Sequence, residues 1–126
     1  MNGGVAHLLD TNLVIGLLKG YAPAVSLADE SGLEPGRIGV SLITRMELLG
    51  FPDLGEDEEE AVRRWLGLCR VLPIDEATEA RAIALRRRRL LRLPDAIVAA
   101  TALVAGARLV TLDERLARVF ESEIGA

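Results

Sequence analysis

Lysine, cysteine and histidine each occur once among these 126 residues, at Lys19, Cys69 and His7, and aromatic residues make up only 3%. A single cysteine excludes an internal disulfide and any cysteine-based zinc cluster, and a single histidine excludes a histidine-rich metal site. Any metal that this chain binds is therefore expected to be held by oxygen. No apolar run approaches the ~20 residues that a membrane span requires, and with only Met1 to Gly4 before the first apolar run no signal peptide is expected. A soluble, cytoplasmic protein is expected.

Half of the residues are hydrophobic, dominated by Ala, Leu, Val and Ile, which predicts one domain over residues 1–126 with an aliphatic core. The net charge of −4 argues against a general nucleic-acid coat, but the charges are segregated. Asp53 to Glu60 contains six acids and no base, whereas Arg81 to Arg92 contains six arginines and no acid.

Val5-Ala6-His7-Leu8-Leu9 reads as a buried strand that ends in Asp10, with Thr11 and Asn12 as helix-capping residues and Leu13 to Leu18 as a helix. An ionised carboxylate at the end of a buried strand is costly without a cationic partner, although Asp10 can also simply cap the helix. A short helix from Pro23 to Asp29 leads to a loop at Ser31-Gly32 and Pro35-Gly36. Ile38 to Ser41 is a strand, and Leu42 to Leu49 a helix that stops at Gly50. Glu47 lies at the margin of that helix's apolar face, and Thr44-x-x-Glu47 also fits a capping box, which would confine Glu47 to the helix start.

An amphipathic helix runs from Glu56 to Cys69 with its acids at the favourable N-terminal end. Arg70 to Ile74 is a short strand, placed at a sheet edge by Pro73. Asp75 or Thr78 caps a helix that reaches about Leu91. Leu93 to Leu103 is an alanine-rich helix with Pro94 at its start and Asp95 in its first turn, ended by Gly106. Arg108 to Leu112 forms the last strand, followed by Asp113 and a helix from Glu114 to Glu121.

The alternation of strands with helices implies an α/β fold with a central parallel sheet of about four to five strands and helices on both faces. Asp10 and Asp113 follow strands, while Glu47 and Asp95 lie early in helices, and in a parallel sheet these positions share one edge. Carboxylates gathered without lysine or histidine repel one another, so such a cluster suits a hard divalent cation, magnesium or manganese. A bound ion of this kind activates water and neutralises a phosphoryl transition state.

LLDTN, SLITRMELL, LPDAIVAATAL and LVTLDERL together resemble the PIN-domain ribonucleases, and more narrowly the VapC toxins of type II toxin–antitoxin pairs. The likeness covers nearly the whole chain, with the motifs in the family's order; the middle helices between Pro52 and Leu72 match only in pattern. It implies Asp10 and Asp95 as the principal magnesium ligands, Glu47 as the second acid and Asp113 as the fourth, the least uniform position. Thr11 and Thr111 match hydroxyl residues that support the site or its water. The resemblance also implies an RNA substrate, a homodimer and a cognate antitoxin lying across the active-site groove.

Two other phosphoryl-transfer folds fit less well. A receiver domain needs a lysine near its phosphorylated acid, and Lys19 lies in the first helix. A haloacid-dehalogenase-type phosphatase needs a second aspartate two residues after the first, where Asn12 stands. A degenerate PIN domain serving as a non-catalytic RNA- or protein-binding module is the remaining alternative, disfavoured by four intact acids. Arg86 to Arg89 cannot all face one way on a helix. Arg88, Arg89 and Arg92 lead directly into Asp95 and are candidates to hold RNA phosphates, the alternatives being an antitoxin contact or pairing with Glu56 to Glu60.

Overall fold

Strand β1 (His7–Leu9) is followed by helices α1 (Thr11–Leu18) and α2 (Ala22–Glu30), strand β2 (Ile38–Ser41), and helices α3 (Leu42–Leu49) and α4 (Glu56–Leu66). Strand β3 (Arg70–Leu72), helices α5 (Glu76–Arg87) and α6 (Leu93–Ala105), strand β4 (Arg108–Val110) and helix α7 (Glu114–Glu123) complete the chain. This computed structural model describes residues 4–124, so the first three and last two positions of the expected domain lie outside the described residues.

The sheet has four strands in the order β3-β2-β1-β4, all parallel. The chain therefore builds outward from β1 to β2 and β3, then crosses back to place β4 on the other side of β1. That reversal opens a crevice at the carboxyl ends of β1 and β4, which is where open α/β sheets bind ligands.

Alternation along β1 sends Leu8 and Leu9 to opposite faces, and each nucleates a separate core. Leu9 packs with Val40, Val110 and, from α1, α2 and α4, Leu13, Val14, Ala24, Val62 and Leu66. Leu8 packs with Val98, Ala102 and Phe120 from α6 and α7. Both leucines are fully buried, so truncating either to alanine should cost about 2–5 kcal/mol. Helix α6 is the central helix on its face: Ala96, Ala99, Ala100 and Ala102 are wholly buried, and the first three pack with Ala82 and Leu85 of α5. Helices thus cover both faces, as expected.

Several boundaries differ from those the sequence predicts. Helix α5 stops at Arg87 rather than near Leu91, because Arg89 takes a left-handed conformation with φ 59°. There the Leu90 N–H donates to the Leu85 carbonyl and reverses the chain toward α6. Strand β3 ends at Leu72, before Pro73. It is an edge strand nonetheless, as is β4, which ends at Val110. Helix α6 ends at Gly106, whose φ of 68° is a conformation that favours glycine.

Candidate active site

Asp10 follows β1 directly, and its backbone N–H still donates to the Val110 carbonyl of β4 (3.3 Å). Its Oδ1 accepts from the Leu13 N–H (2.9 Å), so the residue does cap α1. Its Oδ2 accepts from the Thr111 hydroxyl. Thr111 Oγ1 in turn accepts from the Asp113 N–H (3.0 Å), and Asp113 Oδ1 caps α7 by accepting from the N–H groups of Arg115 and Leu116. One hydroxyl thus links the acid after β1 to the acid after β4.

Glu47 approaches from α3. Its Oε1 lies 2.6 Å from Thr11 Oγ1, which is itself 3.0 Å from Thr44 Oγ1. The expected Thr44-x-x-Glu47 capping box is absent, because α3 begins earlier than that motif requires: Ser41 is the N-cap and accepts from the Ile43 N–H (3.2 Å). Glu47 therefore lies in the last turn of α3 rather than early in the helix as expected, and it is exposed and turned toward the start of α1. Asp95 sits half-buried in the first turn of α6, a helix whose start has no side-chain cap.

Burial and mutual repulsion shape the electrostatics. Asp10 is 95% buried, and desolvation raises its pKa above the ordinary 3.8. The hydrogen bonds from Thr111 and Leu13 oppose that rise, while the charges of Asp95 and Asp113 add to it. Asp95 is raised by desolvation first and then by Asp113 and Glu47, with only Arg92 acting the other way. Four acids from four separate stretches of chain are therefore close enough to feel one another.

Asp10, Thr11, Glu47 and Asp95 line one open cleft of about 390 Å³, flanked by Phe51 and Pro52. Asp113 is not in that lining and contributes through its charge and through Thr111. Among the described residues, no three acids are grouped tightly enough to ligate an ion as they stand. The donor set nonetheless suits a hard divalent cation, because it is all oxygen and self-repelling. Binding an ion would relieve the repulsion that adds to the desolvation of Asp10 and Asp95.

Of the basic run, Arg92 is near enough to Asp95 to lower its pKa. Arg89 is exposed. Arg88 is already engaged: its Nη1 lies 3.0 Å from Glu123 Oε2, and Arg81 lies 3.6 Å from the other oxygen of the same carboxylate. Pairing of these arginines with Glu56 to Glu60 is not found among the described residues, since Glu59 and Glu60 pair with Arg63 and Arg64 within α4. The buried hydroxyls of Ser41 and Thr101, which no sequence motif marks, stand 3.2 Å apart and tie the start of α3 to α6. Polar residues inside the apolar runs IGVSLIT and AIVAATAL are the available signal.

A family model described as the PIN domain matches residues 7–121. The chain belongs to the PIN-domain family. This PIN domain is similar in structure to a toxin–antitoxin complex from Klebsiella pneumoniae, with 32% identity, a TM-score of 0.73, and 86% of this chain and 87% of the other covered. FitAcB from Neisseria gonorrhoeae matches at 25% identity with a TM-score of 0.72, over 91% and 93% of the two chains. VapBC-1 from nontypeable Haemophilus influenzae shares the fold at 23% identity, with a TM-score of 0.73 and 94% of each chain covered. None of the curated proteins compared with the chain matches it. Among the described residues, no helix of this PIN domain is long and apolar enough to cross a membrane.

Proposed function

We infer that this PIN domain is a VapC-like toxin: an endoribonuclease that uses magnesium, or manganese in its place, and is held silent by a cognate antitoxin. The observation that carries this reading is the convergence of Asp10, Glu47 and Asp95 on one open cleft whose lining holds no basic side chain, where burial and repulsion between the acids push the pKa of Asp10 and Asp95 up. Asp10, Glu47, Asp95 and Asp113 are the residues that would hold the ion. When bound, a divalent cation supplies an activated water and offsets the charge that develops on a phosphodiester during hydrolysis.

The chain's own residues do the positioning. Thr111 holds Asp10 Oδ2 and, through the Asp113 N–H, fixes the spacing of those two acids. Thr11 does the same for Glu47. Arg92, beside Asp95, and the exposed Arg89 supply positive charge for phosphates on the approach to the acids, with Arg88 as a further candidate once it leaves Glu123. An acidic protein that binds RNA must do so by local charge of this kind.

An antitoxin partner is supported by the structural neighbour from Klebsiella pneumoniae, a toxin–antitoxin complex. Tyr21, Met46, Phe51 and Leu68 are each more than half exposed, which supports apolar contacts with an antitoxin or a second copy in a homodimer. The test is RNA cleavage by the purified chain with Mg²⁺ and then with excess chelator. Loss of cleavage on chelation and recovery on adding Mg²⁺ support the reading, and cleavage that survives chelation refutes it.

A further inference from the structure

Thr44 is buried completely, yet it stands on α3 one turn before Glu47 and within hydrogen-bond reach of the start of α1. A buried hydroxyl must place its proton on an acceptor or forfeit a hydrogen bond. The side-chain partner of Thr44 is Thr11 Oγ1, at 3.0 Å. Thr11 Oγ1 has a second neighbour, Glu47 Oε1, at 2.6 Å.

Proton counting sets the direction of both bonds. A hydroxyl carries one proton, and an ionised carboxylate only accepts. The short contact is therefore made with the Thr11 proton, and the longer one with the proton of Thr44. The sequence Thr44 to Thr11 to Glu47 is a one-way relay that ends on the carboxylate, and each bond polarises the next.

We propose that Thr44 is a positioning residue of the acidic site, its buried hydroxyl committing the Thr11 proton to Glu47 and so holding that carboxylate toward the cleft. This rests on the reading of Glu47 as a metal-holding acid. Glu47 is exposed and would otherwise sample several rotamers, whereas its Oε1 is tied across 36 residues of chain to the first residue of α1. Its other oxygen is left to an ion. Without Thr44, the Thr11 hydroxyl is free to turn, and the carboxylate loses its fixed donor.

The test is calorimetric titration of Mn²⁺ into the full chain, as the parent and as Thr44→Val, Thr44→Ser, Glu47→Gln and the Thr44→Val/Glu47→Gln double variant. Groups that orient metal ligands are worth roughly 10–100-fold in metal affinity. Thr44→Val should weaken Mn²⁺ binding by about ten-fold, at the lower end of that range, and Thr44→Ser should restore it. In the Glu47→Gln background, adding Thr44→Val should change nothing, because the carboxylate that Thr44 serves is gone. Thermal unfolding of the metal-free variants identifies any misfolded protein, and Thr44→Ser, which keeps the hydroxyl, remains a folded reference. Unchanged affinity in Thr44→Val overturns the proposal, as does an equal weakening with and without the Glu47 carboxylate. A parent chain that binds no Mn²⁺ overturns the metal reading itself, and the proposal with it.

Discussion

Thr111, just past β4, donates its hydroxyl proton to Asp10 Oδ2, just past β1, across the point where the strand order reverses. That bond opposes the desolvation of a nearly buried carboxylate, while Thr111 Oγ1 accepts from the Asp113 N–H. Thr111→Val removes both functions at nearly constant shape. Asp10 should then take up protons at higher pH, and the pH midpoint of Mn²⁺ binding should rise with it. Removing these hydrogen bonds should cost about 1–2 kcal/mol in chemical denaturation. An unmoved pH midpoint would show that Thr111 does not tune Asp10.

Asp95 makes an opposite prediction for stability. Its pKa in the folded protein lies above its ordinary 3.8, so ionising it costs folding free energy. That cost is absent at pH values below the unfolded pKa and complete above the folded one. In chelator, Asp95→Asn should therefore raise Tm at neutral pH, by an amount reduced by solvent screening of this half-buried group. The gap should close as pH falls toward 4. Differential scanning calorimetry across that range checks the sign, and a neutral-pH Tm below that of the parent contradicts it.

The arginines divide by what they touch. Arg89→Gln with Arg92→Gln should lower the log-log salt slope of RNA binding by about 0.7 for each single-strand phosphate that no longer meets an arginine. Arg88→Gln should chiefly destabilise the fold, by about 1–3 kcal/mol, because Glu123 is 91% buried and would keep only the looser ion pair with Arg81. Fluorescence anisotropy at several salt concentrations, paired with urea denaturation, separates the two effects. A salt slope unchanged by the double substitution would remove Arg89 and Arg92 from the RNA surface.

Much of this architecture is readable in the chain. Apolar runs closed by Asp10 and by Asp113, and the alanines of α6, specify strands and a central helix through periodicity and small volume alone. The features that local pattern misplaces are those decided by distant contacts. Thr44 and Glu47 have capping-box spacing, but Ser41 starts α3 earlier, and the pair is claimed by Thr11, more than thirty residues away. Arg89 has no local feature that demands a left-handed backbone, and the reversal there follows from docking α6 against α5. Glu123 lies in a helix of polar character, and only tertiary packing buries it between Arg81 and Arg88. Local pattern specifies the elements, while long-range contacts decide which side chains share a site.

The central claim is that Asp10 and Asp95 hold a divalent ion that the cleavage of RNA requires. Its most direct test is the rate of cleavage of a single-stranded RNA as Mg²⁺ is raised, for the parent chain, Asp10→Asn and Asp95→Asn, with folding confirmed by circular dichroism. The parent rate should rise from background and saturate. Both variants should stay folded with rates lower by at least about 10³-fold, equivalent to roughly 4 kcal/mol of transition-state stabilisation. Saturating Mg²⁺ should not restore them. A folded Asp95→Asn that cleaves RNA at the parent rate, or a parent rate indifferent to Mg²⁺, would contradict the account.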